Sequence, residues 1–92
     1  MQTILIIEDE IDIAELIRLN LERNQFGTEV ADDGQTGINK AIEELPDLII
    51  LDLMLPVKDG MTVFKELRNN DCTRSIPAVS YTHLTLPTIY SV

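Results

Sequence analysis

The chain has 92 residues and a formal net charge of −9, which bounds it to one small domain with a real but thin core. An acidic surface repels phosphate backbones, so the chain by itself is a poor nucleic-acid binder. Its apolar runs are too short for a membrane span, no basic segment precedes the first run as a signal peptide would require, and the single cysteine, Cys72, reads as a free thiol in a reducing cytosol rather than part of a disulfide framework.

Residues 3–7, TILII, form a short β-rich apolar run that predicts a buried strand. Glu8, Asp9, Glu10 and Asp12 follow it. Asp12 precedes Glu15 by three positions, which resembles a capping box. Ala14, Ile17 and Leu21 then share one helical face, with Ile13 and Leu16 beside it, so a helix is expected over residues 12–24. Gly27 is the expected turn after it. Residues 29–31 suit a short second strand, and Asp32-Asp33-Gly34 signals a turn. Ile38, Ala41, Ile42 and Leu45 repeat at helical spacing until Pro46 closes a second helix. Residues 48–51 are apolar on both faces, as central parallel strands are. Asp59-Gly60 turns the chain again. Met61, Val63, Phe64 and Leu67 mark a third helix ending near Asn69 and Asn70, and a fourth strand begins at Ile76.

The alternation of strand and helix with short connections predicts a mainly parallel α/β sheet with helices on both faces. In such sheets sites form at the carboxyl ends of the strands. Glu8 and Asp9 leave the first strand there, and Asp52 leaves the third. If those strands are neighbours, the carboxylates converge. Unit charges about 4 Å apart repel by about 4 kcal/mol at an effective dielectric near 20, so the cluster needs a cation or must take up protons. An all-oxygen set favours Mg²⁺, Mn²⁺ or Ca²⁺. With a metal present, one aspartate can attack a phosphoryl group and form an acyl phosphate. Glu10 and Asp12 read more simply as stabilisers of a helix N-terminus. Taken alone, Glu8 and Asp9 suit cap and ligand equally; their pairing with Asp52 favours the ligand reading.

The two stretches ILIIEDE and LIILDLMLPVKDG together resemble the receiver domain of two-component response regulators. The resemblance covers residues 3 to about 78. It implies a flavodoxin-like doubly wound sheet of strand order 2-1-3-4-5. It implies Asp52 as the phosphoacceptor, Glu8 and Asp9 as the acidic pair that holds Mg²⁺, and Met54 as the residue whose backbone carbonyl completes the metal site. Pro56 and Gly60 match the proline and glycine of the following loop. Lys58 lies in that loop and reads as solvated surface, since the family's active-site lysine comes much later. Similar receivers take their phosphoryl group from a sensor histidine kinase in the cytoplasm and switch an output domain. Many with this type of loop precede a winged-helix DNA-binding domain.

The last 18 residues carry no Asp, Glu, Lys or Arg, whereas residues 1–74 carry all 23. At a charged fraction near 25%, so long an uncharged run has a chance of roughly 0.6%. Residues 79–88, VSYTHLTLPT, are similar to the translation of a transposase adapter used in sequencing libraries. The expected division is therefore a partial receiver domain over residues 1–78 and a non-native tail over residues 79–92. On this reading the sheet is incomplete: the last helix-strand-helix unit and the late lysine are missing, and the fourth strand becomes an exposed edge. Thr82 falls by counting on the family's switch position, as a coincidence if the tail is foreign. His83 reads as surface. The chain is then expected to be marginally folded; a cooperative melt above about 50 °C contradicts that.

Two other functions are weighed. A pseudo-receiver would serve as an interaction module without taking phosphate; the intact Glu8, Asp9 and Asp52 set weighs against it for the parent protein, and the missing lysine leaves it open for this chain. A phosphatase of the aspartate-nucleophile haloacid dehalogenase class would need a second Asp two positions after the nucleophile, where this chain has Met54.

Overall fold

The computed structural model describes residues 1–55, 58–81 and 89–91. In chain order the elements are β1 (Thr3–Ile7), α1 (Ile11–Arg23), β2 (Gly27–Ala31), α2 (Gly34–Glu44), β3 (Leu48–Asp52), α3 (Gly60–Asn69), β4 (Ala78–Tyr81) and β5 (Ile89–Ser91). They build one sheet of order β2-β1-β3-β4-β5. β1 lies parallel to β2 and to β3, and β3 lies parallel to β4. The expected doubly wound α/β architecture is therefore present through its fourth strand. Among the described residues no helix follows α3, in keeping with the expected incomplete sheet.

The β4 edge differs from expectation. β5 returns antiparallel along it, pairing Val79 with Ser91, Ser80 with Tyr90 and Tyr81 with Ile89. The edge donors and acceptors that would template association are thereby taken up within the chain. Pairing starts at Ala78 rather than Ile76; Pro77 has no N–H to donate and contributes only its carbonyl, which accepts from the Ile49 N–H at 3.0 Å.

Alternation along the strands divides the apolar residues between two faces. Leu5, Ile7, Ile49, Leu51 and Ala78 point to one face and join Ile38, Ala41, Val63 and Leu67 of α2 and α3 in a buried cluster. Ile4 and Ile6 are buried on the other face, where α1 packs over β1 and β2 and buries Ala14. Their register partners Leu48 and Ile50, and Val79 beyond them, are only half-buried. Ile13, Ile17 and Leu21 of α1 are half-buried too, whereas Leu16 is 61% exposed.

The helix ends refine the sequence reading. α1 starts at Ile11, with Glu10 at the N-cap making no side-chain cap bond. Asp12 lies inside the first turn, so no capping box forms; its charge still favours the positive end of the helix. The left-handed residue after α1 is Gln25, at φ 69°, rather than Gly27, which already belongs to β2. Both Asp-Gly pairs serve as helix starts. Asp33 caps α2 by accepting from the Thr36 N–H at 2.8 Å, and Asp59 caps α3 by accepting from the Thr62 N–H at 2.8 Å. A Cβ on Gly60 would stand 2.5 Å from the Asp52 carbonyl oxygen and from Leu53 Cα. Only glycine lets α3 begin so close to the end of β3.

Candidate metal centre

Ile7 of β1 pairs with Leu51 of β3, so the residues that follow them, Glu8 and Asp52, leave the sheet side by side. The Glu8 N–H extends the ladder by donating to Ala31 O at 2.9 Å. The Leu53 N–H does the same toward Tyr81 O at 2.8 Å. Backbone pairing thus fixes both strand ends before any side chain contributes. Glu8 is 1% exposed and Asp52 is 0% exposed, while Asp9 is half-buried. Each of Glu8, Asp9 and Asp52 offers a carboxylate oxygen, and those atoms lie within 4.8 Å of one another.

Desolvated carboxylates this close repel strongly, and local donors offset part of the repulsion. The Met54 N–H donates to Asp52 Oδ1 at 3.0 Å, and the Glu10 N–H donates to Glu8 Oε2 at 2.9 Å. The Tyr81 hydroxyl donates to Glu8 Oε1. Burial, then that hydrogen bond, then the negative charges of Glu8, Asp52 and Asp9 push the Tyr81 hydroxyl well above the ordinary tyrosine range. It therefore stays protonated and acts as a donor. Asp9 Oδ1 is buried with no hydrogen-bond partner. An orphaned carboxylate oxygen inside an all-oxygen cluster fits a hard divalent cation.

The sequence-derived residues come together in part. Glu8, Asp9 and Asp52 converge as expected. Met54 is 49% exposed and its N–H already serves Asp52. Gly60 packs directly behind Asp52. Lys58, expected as solvated surface, is half-buried, with Nζ 2.7 Å from Glu66 Oε2 and 2.9 Å from Gln35 Oε1. It ties α2 to α3. Cys72 is an exposed free thiol. Pro56, Thr82 and His83 lie outside the described residues.

Tyr81 is the site residue that sequence reasoning missed. Its signal is positional: in the β3–β4 register it stands opposite Asp52, which becomes visible only once β4 is known to begin at Ala78.

Comparison with known proteins gives a consistent picture. The family model described as the response regulator receiver domain matches residues 4–89. The chain is 44% identical over 84 residues to the DNA-binding dual master transcriptional regulator RpaA of Synechocystis, covering 91% of this chain and 35% of that protein. It is 42% identical over 79 residues to the phosphate regulon transcriptional regulatory protein PhoB of Escherichia coli, covering 86% of this chain and 34% of that protein. The chain thus spans about a third of the length of these curated relatives. Among solved structures, a chemotaxis protein of Vibrio cholerae superposes with a TM-score of 0.86 at 29% identity, over 95% of this chain and 72% of that one. The receiver domain of a sensor histidine kinase from Pseudomonas aeruginosa, with a magnesium ion coordinated in its active site cleft, superposes with a TM-score of 0.86 at 28% identity, over 94% of this chain and 70% of that one.

Proposed function

The chain belongs to the response regulator receiver domain family, and from that premise we propose that it accepts a phosphoryl group on Asp52 from a sensor histidine kinase, with Mg²⁺ at Glu8, Asp9 and Asp52. The observation that carries this reading is the convergence of the three side chains, whose ligand oxygens fall within 4.8 Å of one another at the carboxyl edge. A magnesium ion there, with the Met54 backbone carbonyl as a further ligand, would screen the carboxylates from the incoming phosphoryl oxygens.

An Asp52 carboxylate oxygen attacks phosphorus in line, an O–P bond forms and the P–N bond to the donor histidine breaks. The electron pair stays on the imidazole nitrogen, which can then take a proton. The Met54 N–H, already on Asp52 Oδ1, holds the carboxylate in a fixed orientation. Glu8 and Asp9 hold charge at the site rather than taking part in bond making. The helix start at Gly60, packed against the end of β3, is placed to feel any change at Asp52.

The intact parent is proposed to be cytoplasmic and to carry an output domain. A winged-helix DNA-binding module fits the regulatory names of the relatives and the acidity of this segment, which disfavours direct nucleic-acid binding. No described helix is long and apolar enough to cross a membrane. The division into a receiver segment over residues 1–78 and a foreign tail over residues 79–92 belongs to the same proposal. Its support is the charge-free run after Arg74, and the nucleotide sequence past codon 78 tests it.

The functional test is incubation with acetyl phosphate and Mg²⁺, read by intact mass. A receiver gains one phosphoryl group, and Asp52→Asn does not. A phosphatase turns the donor over, and a pseudo-receiver does neither. Labelling is expected in a chain that carries the late lysine and the final helix-strand-helix, with little in the 92-residue chain. Efficient labelling of the latter would refute the assigned need for those parts.

A further inference from the structure

Both oxygens of Glu8 already accept a hydrogen bond: Oε2 from the Glu10 N–H at 2.9 Å and Oε1 from the Tyr81 hydroxyl. The first donor is local and comes with the start of α1. The second comes from β4, which lies beyond β3 in the sheet. Tyr81 is level with Asp52 in the β3–β4 register, so its ring reaches past the end of β3 to meet a carboxylate of β1. The ring is 3% exposed and Glu8 is 1% exposed. A bond between groups so well buried is shielded from competing water and holds both in place.

We propose that Tyr81 is a positioning residue for the acidic site, whose hydroxyl offsets the charge of Glu8 in the ion-free state and competes with a divalent cation for that carboxylate. The inference rests on the metal reading above and concerns the chain as it stands, whatever the origin of residues 79–92. A hydrogen-bond donor and a cation draw on the same negative charge. Each therefore weakens the other's hold on Glu8, although each carboxylate oxygen has lone pairs enough for both. The hydroxyl thus sets the affinity of the ion site downward and keeps the ion-free cluster from flying apart.

The test is a Mg²⁺ titration of the 92-residue chain and of Tyr81→Phe by calorimetry, with thermal melts in the presence and absence of Mg²⁺. Tyr81→Phe is expected to bind Mg²⁺ roughly threefold to tenfold more tightly, the effect of losing part of a charged hydrogen bond. Its midpoint should fall more without the ion than with it. Unchanged or weaker binding, or equal falls in midpoint, would reduce Tyr81 to a packing residue and overturn the proposal. A second reading uses the unmutated chain and does not depend on the variant folding. The chain has two tyrosines and no tryptophan, so Mg²⁺ should perturb its tyrosine absorption as Glu8 is coordinated. A spectrum that stays unchanged while calorimetry shows saturable binding also overturns the role of Tyr81 but leaves the metal site standing. A wild-type chain without saturable Mg²⁺ binding ends both.

Discussion

The bodies of β1 and β3 and their carboxyl ends lie one residue apart and could hardly differ more. Ile6, Ile7 and Leu51 are each 0% exposed and apolar, whereas Glu8 and Asp52 are just as buried and are acidic. The apolar half is held by area removed from water, a non-directional force that tolerates no polar atom. The acidic half is held in place by that core and by a few aimed donors, and is strained by its own repulsion. The core thus supplies the rigidity that the site consumes: without the dry half, the carboxylates would separate and rehydrate.

Truncating the dry half should have the largest effect. Leu51→Ala leaves a cavity in the cluster shared with α2 and α3 and is expected to destabilise by about 2–5 kcal/mol, enough to unfold a small domain at room temperature. A urea melt followed by far-ultraviolet circular dichroism checks it. A loss below about 1 kcal/mol would mean that the site does not depend on the core.

The charged half should respond in the opposite sense. Asp52→Asn removes one of the three clustered carboxylates and is expected to raise the midpoint without Mg²⁺, since it relieves repulsion. The same substitution should abolish the gain from the ion, which for the unmutated chain is about 2.7 kcal/mol at a hundredfold excess over Kd. Melts of both chains with and without Mg²⁺ separate these effects. A lower ion-free midpoint for Asp52→Asn would show that the cluster is not under repulsion.

The helix starts lie between these extremes. Asp33→Ala removes the cap on α2 and should destabilise by about 1 kcal/mol, a midpoint drop of about 4–8 °C for a domain of this size. The Thr36 backbone N–H and then its hydroxyl hold the Asp33 carboxyl below its ordinary range, and the Thr62 N–H and hydroxyl do the same for Asp59. Their contribution is therefore fully present above the ordinary value of 3.8 and is lost as pH falls through the lower folded values. Acid titration of Asp33→Ala should show a shallower loss of stability in that window. The smallest effect is expected at Arg18, which pairs with Glu15 and Glu22 on the outer face of α1. Arg18→Ala should leave the midpoint unchanged within error, because exposed pairs are screened and entropically opposed.

Most of this arrangement was legible from local pattern. Strands that run apolar into acid, and helices with a 3.6-residue apolar repeat, announce themselves within a few residues, so β1 and β3 could be read directly, while the convergence of Glu8, Asp9 and Asp52 hung on the two strands being neighbours, as they are. Asp33-Gly34 and Asp59-Gly60 were readable only as turns, because the same residues favour turns and helix caps and only the Thr36 and Thr62 N–H groups decide between them. The false capping box at Asp12 arose likewise from a spacing that ignores where the first helical bond forms. What could not be read was non-local. The return of β5 along β4 and the placing of Tyr81 on Glu8, 73 residues away in sequence, depend on sheet register and on which face a side chain takes.

The central claim is that Glu8, Asp9 and Asp52 hold a single divalent ion in common. Calorimetric titration of Mg²⁺ into the unmutated chain and into Asp9→Asn tests it most directly, since Asp9 carries a buried oxygen without a hydrogen-bond partner. The account predicts saturable binding of one ion per chain and at least a tenfold loss of affinity in Asp9→Asn, a change of about 1.4 kcal/mol. Equal affinity in both chains, or no saturable binding in either, would contradict it.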